Sequence, residues 1–229
     1  MRRDGSELRR RGALVAAFCA LACAAAAAEA PERVVSMNLC TDQLALLVAA
    51  PGQVVSVSDW AAKPSASNMV EEAAALPANA ASAEQVFLMK PDLVLAGSFT
   101  DRVAVDMLRR LGVRVEQLPP ARSVEGVKSA LREMGALLGR AERAEAVIAE
   151  FEAALAAEAA RAEGLGREEA AYHYANNYTS GAGTLAAEAM DLAGFDNAAE
   201  ALGLSGAARL PLETFVMRRP FVIRTETLS

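Results

Sequence analysis

Three short stretches carry side chains able to hold a ligand by reversible contacts. The first is NLCTD, 38–42, directly after the β-branched run RVVSM; the second is Asp59 and Trp60, directly after QVVSVS; the third is NNYTS, 176–180, directly after AAYHYA. Asn38, Cys40, Thr41 and Asp42 put an amide, a thiol, a hydroxyl and a carboxylate within five residues, and a helix starting there adds free backbone N–H groups. Trp60 is the only tryptophan, and its face would stack on a large planar ligand. Asn176, Asn177 and Tyr178 offer side-chain hydrogen bonds to a polar ligand. Arg224, at the end of FVIRTE, would pair with an anionic ligand. Each also has a plain reading. Thr41 or Asp42 would simply cap a helix, Trp60 would pack in a core, NNYTSG would be a glycine-containing turn, and Arg224 would be a surface cation.

Other chemistries find less support. A zinc or manganese site wants several histidines, and His173 is the only one. It alternates with Tyr172 and Tyr174 in a strand, which predicts a packed ring; an axial haem ligand is the other reading. The turn after the first strand is MNLCTD rather than GxGxxG, and SGAG at 180–183 lacks the lysine of a phosphate loop. A Cys40–His173 nucleophile pair, the route to an envelope enzyme, rests only on the presence of both residues, so the chain reads as a binding protein. A formal charge of −6 and a pI near 5.0 argue against nucleic acid, which needs clustered cations.

The elements that must position these residues form an α/β pattern. Candidate strands are RVVSM (33–37), QVVSVS (53–58), DLVLAG (92–97) and VRVEQL (113–118), separated by amphipathic segments such as DRVAVDMLRRLG. That alternation predicts βαβ units and a parallel sheet, with ligands at the carboxyl ends of the strands. From Ser123 to Gly164 apolar residues recur at helical spacing, and a helix over 141–162 would span about 33 Å, suited to connect two lobes. After Gly166 a second unit begins: AAYHYA (170–175) as a strand, TLAAEAMDLAG as a helix capped by Thr184, PLETFVMRR as another helix, and FVIRTE (221–226) as a strand. Only two strands are clear in this half.

The first thirty residues read as an export signal. MRRDGSELRRRG is arginine-rich, an apolar run of 17 residues follows, and AEA at 28–30 fits a cleavage site. Removing 1–30 takes away five basic and three acidic side chains, leaving a formal charge of −8 in place of −6. Cys40 is then the single cysteine, so no internal disulfide forms. ALAC at 20–23 only loosely fits a lipoprotein signal, so a lipid anchor on Cys23 is the minor alternative to a soluble periplasmic protein.

The ordered set RVVSMNLCTDQLALL, VVSVSDWA, EQVFLMKPDLVLAG, MLRRLGVRVEQL, SVEGVKSALREMGALLGRAERAEAVI and SGAGTLAAEAMDLAGFDN resembles the periplasmic binding proteins of ABC importers for ferric siderophores, cobalamin and haem. The resemblance covers nearly all of residues 33–225. It implies two Rossmann-like lobes joined by a long helix: an N-terminal lobe at 31–122, a helical connector at 123–166 and a C-terminal lobe at 167–229 that reads as incomplete, as in a fragment. The ligand implied is a ferric siderophore or cobalamin, with haem as the alternative, held in a shallow cleft by Asn38, Cys40, Thr41, Asp42, Trp60, Asn176, Asn177, Tyr178 and Arg224. The partners implied are an ABC permease and, through it, its ATPase, with no membrane contact other than the permease or a lipid anchor. Carboxylates on the lobe tops would meet the permease: Glu71 or Glu72 on the first lobe, Glu188 on the second.

Overall fold

The structure, a computed structural model, describes residues 29–224. The apolar run of the expected signal segment, with Cys19 and Cys23, and the last two residues of FVIRTE lie outside them.

The first half alternates strand and helix as its punctuation dictates: β1 (Val34–Ser36), α1 (Leu39–Val48), β2 (Val54–Ser58), α2 (Val70–Ala74), β3 (Ala78–Asn79), α3 (Ala83–Leu88), β4 (Leu93–Gly97), α4 (Arg102–Arg110) and β5 (Val115–Leu118). Asn38, Ser82 and Asp101 cap α1, α3 and α4 with side-chain oxygens that accept backbone N–H groups. The strands pair in parallel in the order β3-β2-β1-β4-β5. The chain therefore runs outward from β1 through β2 to β3, then returns to the other side for β4 and β5. At that reversal the connections leave the carboxyl ends of β1 and β4 in opposite directions and open a crevice between them.

Two helices follow, α5 (Val124–Leu138) and α6 (Ala141–Ala162), the latter with the boundaries its periodicity predicts. Successive strand residues face opposite sides. Val34, Leu93 and Leu95 pack against α1, α5 and α6, whereas Val35, Val94 and Ala96 pack against α3 and α4. Both faces are covered, which is why β4 is apolar throughout and β1 is so but for Ser36. Gly135 lets α5 and α6 approach: a Cβ there would lie 2.6 Å from that of Ala144. Only the first half of α6 joins the core of this sheet, through Ala144, Val147 and Ile148.

The second half contains β6 (Glu168–His173), a 3-10 turn (Ala175–Asn177), β7 (Tyr178–Ser180), α7 (Leu185–Leu192), β8 (Phe195–Asn197), α8 (Ala198–Ala201), β9 (Ala207–Arg209), α9 (Leu212–Arg218) and β10 (Phe221–Arg224). A parallel sheet has the order β10-β6-β8, and β7 pairs antiparallel with β9. Thr184 caps α7 as expected. Two sequence expectations are corrected here. The half holds more than two strands, because β7, β8 and β9 have three residues each, too short for alternation to register, and long-range pairing makes them. The strand expected at 170–175 lies two residues earlier: Glu168 and Glu169 pair with β8, and Arg218 grips Glu169 at 2.6 Å.

Candidate ligand-binding site

A cleft of about 320 Å³ opens at the carboxyl edge of the first sheet. Its walls come from the exits of successive strands: Met37, Asn38 and Leu39 after β1, Ser58, Asp59 and Trp60 after β2, Ala80 and Ala81 after β3, and Thr100 after β4.

Asn38 has an extended backbone, φ −149°, and its Oδ1 accepts the Cys40 N–H at 3.0 Å. It fits only because Gly97 ends β4: a Cβ on Gly97 would lie 2.8 Å from Asn38 Cγ. Thr100 fixes that exit, since its Oγ1 accepts the Gly97 N–H at 2.9 Å. Trp60 sits in a turn closed by the Ala61 N–H donating to Ser58 O at 3.0 Å. Trp60 is 47% exposed, and Lys63 Nζ lies over its ring, 3.6 Å from the centroid. The cleft thus joins an aromatic face to an amide, a carboxylate and a hydroxyl, the composition of a small-molecule site.

Thr41 and Asp42, expected in the site, turn away from it. Both are buried. Thr41 Oγ1 lies 2.9 Å from Asn38 O, to which it donates, and 2.8 Å from Ser36 Oγ. The Asp42 carboxylate accepts the Ser58 N–H at 3.1 Å and the Ser58 hydroxyl at 2.5 Å. Burial pushes the Asp42 carboxyl above its ordinary value, hydrogen bonds from Ser36 and Ser58 oppose that rise, and the Asp59 charge adds to it. The reason is the cap: Asn38 stands outside the helix with an extended backbone and folds its side chain back over the Cys40 N–H, whereas Thr41 and Asp42 lie within α1 on the face packed against the sheet. Cys40 is exposed beside the cleft without lining it. The sequence reading missed Met37, Leu39, Ser58, Ala80, Ala81 and Thr100; Thr100 was within reach, because it stands in the loop GSFT after β4.

In the second half, Asn176, Asn177 and Tyr178 are exposed beyond the end of β6. Asn176 and Asn177 are both left-handed, with φ 58° and 60°, a conformation that asparagine tolerates better than most side chains. The loop is held by the Tyr174 N–H donating to Tyr178 O at 2.8 Å and the Leu210 N–H donating to Asn177 O at 2.9 Å. Arg209 lies 5.5 Å over the Tyr178 ring. Arg224 ends β10 in register with His173 at the end of β6. The His173 ring meets Phe215 edge-on, and its Nε2 is 3.3 Å from Asn177 Oδ1.

Glu188, expected as a docking carboxylate, is half-buried and occupied. Its Oε2 accepts the Val124 N–H at 2.7 Å and so caps α5 from another element. Glu71 and Glu72 are exposed in the first turn of α2. A larger cavity, about 600 Å³, lies between α5, α6 and α7. Val127, Phe151, Leu155, Leu185 and Leu192 line it, with Glu158 and Arg161 among its few polar groups, and it lacks the convergent polar groups of the sheet-edge cleft.

A family model described as "Periplasmic binding protein" matches residues 34–228. The chain belongs to the periplasmic binding protein family. A "Cobalamin-binding protein" of Halobacterium salinarum is 32% identical over 199 residues, covering 85% of this chain and 54% of the relative. The chain thus spans about half the length of the curated relatives it matches. A periplasmic binding protein from Veillonella parvula superposes with TM-score 0.72 at 20% identity, over 86% of this chain and 71% of that one. A periplasmic heme-binding protein from Pseudomonas aeruginosa does so with TM-score 0.69 at 21% identity, over 87% and 74%. At such identities the structures speak for the fold, and they agree with the two-lobed α/β architecture expected of the sequence.

Proposed function

We propose that this chain is the capture component of an import system for a metal chelate, with cobalamin the first candidate and a ferric siderophore the second. The observation that carries the reading is the half-exposed Trp60 forming one wall of a polar-edged cleft at the strand reversal of the first sheet. A wide, flat corrin ligand would stack on that ring, while Asn38, Asp59 and Thr100 orient its polar periphery. The 32% identity to a protein named for cobalamin binding supports the same choice. Asn176, Asn177 and Tyr178 would supply contacts from the second half, and Arg224 would favour an anionic group on the ligand. In this reading the protein is exported, residues 1–30 are removed, and the loaded protein meets an ABC permease coupled to its ATPase. Glu71 and Glu72 are the free carboxylates suited to that docking.

Titration calorimetry of the chain from Pro31 with cyanocobalamin, ferrichrome and haemin tests the proposal. Saturable 1:1 binding of cyanocobalamin, weakened roughly 5- to 150-fold by Trp60→Ala, is expected, equivalent to about 1–3 kcal/mol for an aromatic anchor. Binding of ferrichrome or haemin alone would redirect the ligand, and no binding of any of the three would overturn the reading.

A further inference from the structure

We propose that Asp42 is the positioning residue of the cleft, a buried carboxylate that never touches the ligand but sets where Trp60 stands. This rests on the reading of the sheet-edge cleft as the ligand site. Asp42 lies in α1, one turn from Asn38, whose carbonyl accepts its backbone N–H at 2.8 Å. Its side chain reaches across to β2 and holds Ser58 twice, at the backbone N–H and at the hydroxyl. Ser58 opens the turn that presents Trp60, with its carbonyl accepting from Ala61 at 3.0 Å. One carboxylate therefore ties two walls of the cleft, the start of α1 and the exit of β2.

The other side of that exit is equally determined. Asp59 N–H donates to Asn79 O at 2.9 Å, and Asn79 Nδ2 contacts Ser36 O, Ser56 Oγ and Val57 O at 2.8–2.9 Å. Asp42 is fully buried, and among the described residues no cation pairs with it. An unpaired buried carboxylate is costly to keep for packing alone, since an apolar side chain would fill the space at less cost. Its two bonds to Ser58 account for its presence, because rigid support is what holds an aromatic anchor at the geometry binding needs.

The test uses the sole tryptophan as its own reporter, in the chain from Pro31. Asp42→Ala leaves the Ser58 N–H buried without a partner, whereas Asp42→Asn keeps an acceptor for it and a donor for the hydroxyl. With far-UV circular dichroism unchanged, Asp42→Ala should lower Trp60 fluorescence anisotropy, increase acrylamide quenching and weaken cyanocobalamin or haemin binding by roughly tenfold or more. Asp42→Asn should restore all three to within about threefold of the parent. A folded Asp42→Ala with parental anisotropy would overturn the proposal. So would an Asp42→Asn that is parental in anisotropy yet as weak in binding as the alanine variant, because the charge itself would then act on the ligand. If Asp42→Ala fails to fold, Ser58→Ala, which removes only the hydroxyl bond, decides: lowered anisotropy supports the proposal and unchanged anisotropy refutes it. If the parent binds no probe, the proposed ligand class fails, while the anisotropy comparison still decides the role of Asp42.

Discussion

Replacing Gly97 by alanine sets a methyl group against Asn38. The added Cβ would lie 2.8 Å from Asn38 Cγ and 3.0 Å from both its Oδ1 and Nδ2. A contact under 3 Å is not tolerated, so something must move. Shifting the packed exit of β4 costs about 1–3 kcal/mol. Swinging Asn38 out of its seat is cheaper: it forfeits the bond from the Cys40 N–H at 3.0 Å, which is the cap of α1. Losing an asparagine cap costs typically about 1 kcal/mol, within a range of about 0.5–2. The swing wins, and Gly97→Ala should lower the melting temperature by about 2–4 °C for a chain of this size. The decisive experiment is a double-mutant cycle followed by circular dichroism melts. In an Asn38→Ala background the cap is already gone and the obstructing atoms are absent, so adding Gly97→Ala should cost less than about 0.5 kcal/mol, or stabilise slightly because alanine suits a strand better than glycine. The coupling between the two sites should thus be about 1 kcal/mol. An equal penalty for Gly97→Ala in both backgrounds would refute this reasoning, because the methyl group would then be clashing with something other than Asn38.

Burial raises the Asp42 pKa, so its ionised form is less stable in the folded than in the unfolded chain. The penalty is full above the raised folded value, shrinks as pH falls through it, and is gone below the ordinary value of 3.8. Urea unfolding between acid and neutral pH should therefore show Asp42→Asn gaining stability over the parent as pH rises; a constant offset at all pH values would count against a raised pKa. Glu188→Ala should destabilise the chain by about 0.5–1.5 kcal/mol through the lost hydrogen bond to the Val124 N–H, while Ser123 still caps α5. Glu71→Lys and Glu72→Lys, on an exposed helix turn, should each stay within about 0.5 kcal/mol of the parent and leave cyanocobalamin affinity unchanged while abolishing uptake. A silent Glu188→Ala in a chemical unfolding curve would show that Val124 finds another partner.

Much of this architecture is local and could be read directly from the residues. The apolar stripe through Val147, Phe151 and Leu155 marks α6, the runs around Val34, Val54 and Leu93 mark doubly covered strands, and Thr184 announces α7, because periodicity and capping act within one or two turns of chain. The place of the cleft also follows from the order of the parts, since a ligand crevice sits where βαβ connections diverge. Which side chains enter it does not. Asn38, Thr41 and Asp42 are equally polar in the sequence, and the setting of α1 against the sheet turns the first into the cleft and the other two onto Ser58, Ser36 and the core. Glu188 reads as a solvated helix carboxylate until folding brings Val124, 64 positions earlier, to within 2.7 Å of it. The pairing of β7 with β9 and the starting point of β6 are likewise set by partners far along the chain. Periodicity fixes which face of an element is apolar, but the rotation and contacts of that element are chosen by the packing of the whole core, and only the tertiary structure carries that choice.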